Sequence, residues 1–345
     1  MRVVVVGASG NVGSAVLRRL HTASESRAAG DALQIVGVSR RAPDPTVAPY
    51  AGVAWVEIDI ARSGTETALA DVFAGADAVI HLAWALQPNH DEAAMRATNV
   101  GGTARVLAAV AAASVPHIVV ASSVGAYSFG PKRRRVDESW PTGGIATAHY
   151  SRYKAANERA LDRFEAELPG VVVTRVRPGL VFQADAGAEQ AALFLGRLIP
   201  VGILRVWRPR VLPFPSQGIF QAVHADDLAD AFWRIVERRA AGAFNIAAEP
   251  VLDPALIART IGAKRWVPVR ARTARLLVEL TWRLRLQATD AGWVDIGTQV
   301  PVMSTARARD ELGWVPEISA TAALAEVVDA IAHRTRGAGS PPLEA

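Results

Sequence analysis

Tyr150-Ser151-Arg152-Tyr153-Lys154 sets a phenol and an ammonium four residues apart, on one face of a helix. The chain has four tyrosines and only three lysines, Lys132, Lys154 and Lys264, in 345 residues. Chance would supply such a pair roughly 0.03 times. A free phenol has a pKa near 10, too high for a base at neutral pH, but a neighbouring ammonium favours phenolate. Tyr150 therefore reads as a proton donor or acceptor for a carbonyl/alcohol pair. Upstream, His117 to Tyr127 reads as a strand whose end carries Ser122 and Ser123. Ser123 is placed to hydrogen-bond a substrate oxygen and turn it toward Tyr150; a cap or loop hydroxyl is the equal alternative.

Gly7-Ala8-Ser9-Gly10-Asn11-Val12-Gly13 follows the Val3–Val6 run and opens a helix carrying Val16, Leu17 and Leu20. Strand, glycine turn and helix in this order let the backbone approach a pyrophosphate, whose charge meets free N–H groups and the positive end of the helix dipole. Gly7, Ser9, Gly10, Asn11, Val12 and Gly13 are the candidate contacts, and a dinucleotide is expected. The second strand, Ile35 to Val38, ends in Ser39-Arg40-Arg41, with no carboxylate to hold a ribose 2′-hydroxyl. Arginine is the fork a 2′-phosphate wants, so NADP is favoured, with NAD possible and a plain solvated turn the alternative. Asp59 and Ile60, after the third strand, suit the adenine, although Asp59 also suits a turn. An oxidised nicotinamide would add a positive ring to the pull on the Tyr150 phenol.

These residues need a scaffold of alternating strands and helices. Strands are expected near 2–6, 34–38, 53–57, 78–82, 117–121 and 171–175, and the principal helices near 11–21, 91–114 and 149–167. That alternation predicts an α/β fold, a Rossmann-type doubly wound parallel sheet. After Phe182 the texture turns irregular, with prolines, tryptophans and helices near 226–238, 253–261 and 270–285 that lack regular strand partners. The expected division is 1–182, a dinucleotide-binding domain holding the catalytic set; 183–335, mainly a smaller C-terminal substrate lobe with some segments returning to the first; and 336–345, a frayed tail.

The chain has no cysteine, which excludes disulfide scaffolds, thiol nucleophiles and cysteine-held metals, and fits a reducing cytoplasm. No metal site is expected. A formal charge of +5 is spread along the chain rather than gathered in a stripe, so no nucleic-acid partner is expected. The N-terminal valines reach Gly7 too soon for a signal peptide. Val106 to Tyr127 is uncharged, but Pro116 and His117 split it into helix and strand, so no membrane partner is expected.

The chain resembles the extended branch of the short-chain dehydrogenase/reductase superfamily, the NAD-dependent epimerase/dehydratase family. The resemblance runs through Gly7–Gly13, Asp59-Ile60, His81-Leu82-Ala83, Asn99 to Thr103, Ser122-Ser123 to Tyr127, Tyr150 to Lys154 with Glu158, and Arg177-Pro178-Gly179. It continues in Val223 to Ala229, Phe244-Asn245-Ile246 and Glu311 to Trp314 with Pro316. It implies that Ser123 matches the catalytic serine/threonine, Tyr150 the acid/base, and Lys154 the residue that also holds the nicotinamide ribose. Leu82, Ala83 and Pro178 would lie along the cofactor. Asn99, Asp226 and Asp227 would be structural, and Trp84 would wall the cofactor or substrate. Members usually pair as homodimers, here through helices 91–114 and 149–167, by their outward apolar positions.

The departures narrow the chemistry. Val124-Gly125 follows Ser123 where sugar-nucleotide dehydratases of this branch carry an acidic pair, which disfavours dehydration. Leu180 and Phe220 stand near positions where epimerases carry polar diphosphate contacts, and Leu212, Phe214 and Trp282 are expected to add apolar surface. Arg205, Arg208 and Arg210 could rebuild a phosphate clamp, but an exposed strand is the plainer reading. The Lys132–Arg135 run reads as a solvated loop. The function expected is an NADP-dependent oxidoreductase acting on a small, partly apolar carbonyl or secondary alcohol, with Trp84, Ser123 and Leu180 toward the substrate. The alternatives are a nucleotide-sugar epimerase and a non-catalytic NADP-binding sensor or scaffold.

Overall fold

The computed structural model describes residues 1–28, 32–87, 90–186, 210–333 and 335; Arg205, Arg208 and the expected tail 336–345 lie outside them. A seven-stranded parallel sheet organises the chain, in the order Gly242–Ile246, Val172–Pro178, His117–Ala121, Ala78–His81, Arg2–Val6, Gln34–Ser39, Ala54–Glu57. The order reverses beside Arg2–Val6, which is where ligands settle at the carboxyl ends of such strands.

The valine run of the first strand follows from burial on both faces. Val3 and Val5 join one core with Leu17 and Leu20 of the helix Asn11–Glu25 and Phe232 and Ile235 of the helix Ala225–Arg238. Val4 and Val6 point the other way. They pack with Leu69 and Phe73 of Glu66–Phe73, Val106 and Val110 of Thr103–Ala112, and Leu161 of His149–Glu167.

All six expected strands form, to within three residues at their ends. The expected helix 91–114 is not uniform: Glu92–Arg96 passes into a π-helical stretch, Ala97–Gly102, before Thr103–Ala112. In the π stretch the Asn99 amide both accepts from Ala85 N (2.7 Å) and donates to Ala85 O (2.8 Å), tying the chain after His81 to the helix. Asn99 thus has the structural role the resemblance implies.

The expectation that the later helices lack strand partners is corrected. Gly242–Ile246 completes the main sheet beside Val172–Pro178. A three-stranded sheet joins Ala248–Leu252, Phe220–His224 and Leu180–Phe182, and Val211–Pro215 pairs with Arg265–Val269. Pro213, Pro215, Pro250 and Pro268 interrupt these strands and hide their pattern. Behind the three-stranded sheet, Phe182, Ala222, Leu252, Ile257, Leu324 and Val327 form a second core. Asp227 fastens it to the rest, its two carboxylate oxygens accepting from Glu317 N (2.9 Å) and Ile318 N (3.0 Å).

The Lys132–Arg135 run is not simply a solvated loop. The Lys132 ammonium turns inward to donate to Ile219 O (2.8 Å) and Gly297 O (2.9 Å), and Arg135 pairs with Glu249 at 2.6 Å. The outward face of His149–Glu167 is also not the apolar surface expected for pairing, since it exposes Arg152, Arg159, Asp162 and Arg163.

Candidate active site

The His117–Ala121 strand delivers Ser122 and Ser123 at its carboxyl end, both buried. Ser123 Oγ accepts from Gly125 N at 3.0 Å, capping the short turn Val124–Ala126, and its hydroxyl lies beside the Tyr150 phenol. A side chain at Gly125 would put its first carbon 2.8 Å from Tyr150 Cε1, so the glycine is what lets the ring approach the serine turn.

Tyr150 and Lys154 come from the first turns of His149–Glu167, as the spacing predicts. Burial pushes the phenol up to about 12, with the Ser123 hydroxyl pulling the other way. Lys154 is 4% exposed, and burial holds its ammonium down to about 7 against the opposing charge of Glu158. It donates to Ala121 O at 2.8 Å and lies 3.5 Å from the centroid of the Trp84 ring, whereas the Tyr150 centroid is 5.8 Å away. The expectation that the ammonium brings the phenol toward phenolate is therefore corrected. In the protein alone desolvation dominates, and Tyr150 is a protonated acid at neutral pH.

Two tryptophans wall the phenol. Trp84 meets Tyr150 edge to face (5.3 Å between centroids, 68°), and Trp293, from the helix Gly292–Gln299, meets it at 5.0 Å and 41°. The Trp84 indole N–H is buried and has no hydrogen-bond partner. Trp293 escaped the sequence reading because it lies far along the chain in a short helix, where no spacing ties it to Tyr150.

Beneath the serines runs a buried polar chain. Ser122 donates to Glu158 (2.5 Å), and Arg177 grips both Glu158 oxygens (2.9 and 2.8 Å). Arg177 also donates to the Tyr127 hydroxyl (3.0 Å), which donates to Asn245 (2.7 Å). Burial pushes the Glu158 carboxyl up, but the Arg177 hydrogen bonds and charge, with Ser122, win and hold it below the usual range. This chain clamps three neighbouring strands and the catalytic helix.

The glycine turn fits a dinucleotide. Gly7 takes φ +89°, and a Cβ there would lie 2.5 Å from Ala83 N, so the turn packs directly on the segment after Ala78–His81. A Cβ on Gly10 would meet only Gly7 O, at 3.4 Å, and would otherwise fill the open side of the turn where a phosphate must come. The helix behind it has no side-chain cap and no acid in its first turn, which leaves its positive end for an anion. Asn11, Val12 and Gly13 form that first turn, Ser9 precedes it, and Leu82 is held by its N–H to Val6 O at 2.8 Å.

Around this cradle, Arg40 is exposed beyond Ser39, whose hydroxyl donates to Arg41 O at 2.7 Å. Asp59 caps its own turn at Ala61 N (3.0 Å) while Ile60 is buried beside it. Pro178 is buried at the end of Val172–Pro178. Leu180 behaves differently: with Phe220, Leu212 and Phe214 it packs against the second core, and Trp282 stacks on His90. Leu180, Leu212, Phe214 and Phe220 thus pack against the second core, and Trp282 does not.

The family described as the NAD dependent epimerase/dehydratase family matches residues 3–247, and the chain belongs to it. That family consists of enzymes, and this protein is one of them. No curated protein sequence matches the chain. Among solved structures, it is similar to the UDP-glucose 4-epimerase of Thermus thermophilus in complex with NAD, with a TM-score of 0.68 and 20% identity over 96% of this chain and 99% of that one. It is similar also to the dTDP-glucose 4,6-dehydratase of Streptomyces venezuelae with NAD bound (0.69, 20%, 96% of each chain). A third is the UDP-glucuronic acid 4-epimerase of Bacillus cereus (0.68, 15%, 97% and 100%). At these identities the likeness is one of fold.

Proposed function

We propose that the protein is an NADP-dependent oxidoreductase that interconverts a carbonyl and a secondary alcohol on a small, partly apolar substrate. The observation that carries this reading is the Tyr150 phenol between Trp84 and Trp293. Two indoles offer wide apolar faces and one N–H each, so they satisfy few of the hydroxyls of a sugar but cover an apolar carbonyl compound well.

A bound nicotinamide would supply or accept the hydride. Tyr150, protonated at neutral pH, donates to the carbonyl oxygen, and Ser123 holds that oxygen in line. Lys154 holds the nicotinamide ribose, the Gly7–Gly13 turn holds the pyrophosphate, and Arg40 with Arg41 grips a 2′-phosphate. Asp59 and Ile60 border the adenine, and Leu82, Ala83 and Pro178 border the nicotinamide. In this reading residues 1–182 bind cofactor, 183–335 mainly bind substrate, and the enzyme works in the cytoplasm.

The second reading, a nucleotide-sugar epimerase, is supported by the likeness to UDP-sugar epimerases crystallised with NAD. The two differ in electron balance. A panel of ketones and aldehydes with NADPH should give net NADPH consumption; interconversion of UDP-sugars with no net consumption supports the second reading instead.

A further inference from the structure

The helix Ala271–Arg283 buries none of its 13 residues. Leu276, Leu277 and Leu280 are 67, 56 and 52% exposed, and Leu284, one residue beyond its end, is 59% exposed. Among the described residues, six of the ten exposed large hydrophobic side chains fall between Val267 and Leu286. With 3.6 residues per turn, positions 276, 277, 280 and 284 share one stripe about 100° wide. Single exposed leucines need no explanation, but four on one stripe mark a contact surface.

Charge decides what that surface meets. Lys264, Arg265, Arg270, Arg272, Arg283 and Arg285, in the same stretch of chain as the leucines, are all exposed. The only acid between residues 264 and 286 is Glu279, and Arg283 already holds it at 2.9 Å. Arg275 turns inward to Asp295 at 3.0 Å. A second copy of this surface would set cation against cation around the rim. An anionic bilayer answers both features, taking leucines to the headgroup boundary and arginines to lipid phosphates.

We propose that Ala271–Arg283 and its basic rim form a docking surface for an anionic lipid bilayer. This departs from the sequence expectation of no membrane partner. No helix among the described residues is long and apolar enough to cross a membrane, so the helix lies along the surface. The same helix contacts the rest of the protein through two side chains, one of which leads to the candidate active site. Its Trp282 stacks on His90 (4.4 Å, 6°), and its Arg275 holds Asp295 in the helix that presents Trp293 to Tyr150. Docking therefore sets the aromatic wall beside the bilayer, within reach of substrates that partition into lipid.

Co-sedimentation of the full chain with vesicles tests this without reference to catalysis. Phosphatidylglycerol/phosphatidylcholine vesicles should bind it more than about tenfold better than phosphatidylcholine alone, and high salt should remove most of the difference. The variant Leu276→Asp/Leu280→Asp changes two exposed side chains, so it should keep its melting temperature and lose vesicle binding by more than about tenfold. Arg272→Glu/Arg285→Glu should lose mainly the salt-sensitive part. Failure to bind anionic vesicles overturns the proposal, as does binding indifferent to the leucine changes. A wild-type dimer that Leu276→Asp/Leu280→Asp converts to monomer assigns the face to a second copy and overturns it equally.

Discussion

The Lys154 ammonium rests 3.5 Å from the centre of the Trp84 indole while donating to Ala121 O at 2.8 Å. The aromatic face stabilises a cation that has no carboxylate of its own, because Glu158 is committed to Arg177. Trp84 follows the His81-Leu82-Ala83 segment that packs on the glycine turn, so one residue links the cofactor cradle to the catalytic helix.

Trp84→Leu should weaken NADPH binding by about twofold to thirtyfold, the worth of a cation–π contact of roughly 0.5–2 kcal/mol. Trp84→Phe keeps an aromatic face and should lose less. Calorimetric titration measures both; equal affinity in Trp84→Leu and wild type would remove Trp84 from the positioning of Lys154.

Burial holds Lys154 near 7, so the free protein loses that charge as pH rises through neutrality. A ribose and phosphates prefer the ammonium, so binding raises its pKa and takes up a proton above pH of about 7. NADPH affinity should then fall as pH rises above about 7, by up to about tenfold per unit. Lys154→Met should bind more weakly overall and show a flat profile. A flat profile in wild type would show that Lys154 does not titrate there.

Arg40 is exposed at the end of Gln34–Ser39, and Glu57 lies in register with Ser39 across the sheet, accepting from Ala42 N at 2.8 Å. Wild type should bind NADPH more tightly than NADH. Arg40→Asp should reverse the order, since the new carboxylate repels a 2′-phosphate and accepts from a 2′-hydroxyl. Comparing the two dissociation constants in each protein decides it, and an unchanged preference would free this turn of any role in the choice.

Glu158 and Arg177 are 1% and 5% exposed. Glu158→Gln leaves a buried guanidinium without its counter-charge and should destabilise by about 3–5 kcal/mol in denaturant unfolding. Glu158→Gln/Arg177→Met should recover part of that loss. A double variant no better than the single one would place the energy in Tyr127 and Asn245 rather than in the ion pair.

The sheet was readable from Val3–Val6, Ile35–Val38 and His117–Ala121 because strands buried on both faces must be apolar throughout. The catalytic set was readable because Tyr150 and Lys154 share a helix, where spacing determines geometry. Trp293 was not, since its approach to Tyr150 depends on how a distant stretch of the chain folds back onto the site. Leu180 stands near a position where epimerases contact the diphosphate, which points it toward the substrate, but the turn at Gly179 sends it into another sheet and against another core. The prolines of Val211–Pro215 and Arg265–Val269 concealed strands whose pairing comes from each other. Lys132 sits among arginines that face solvent, and only the fold turns it inward.

The most direct test compares NADPH consumption by wild type and Tyr150→Phe on a panel of ketones and aldehydes. The substitution removes only the proton-bearing oxygen. Wild type should consume NADPH in step with alcohol formed, and Tyr150→Phe should turn over about 10²–10⁴-fold more slowly with cofactor affinity nearly unchanged. Full activity in Tyr150→Phe would contradict the account, because the proton would then come from another group.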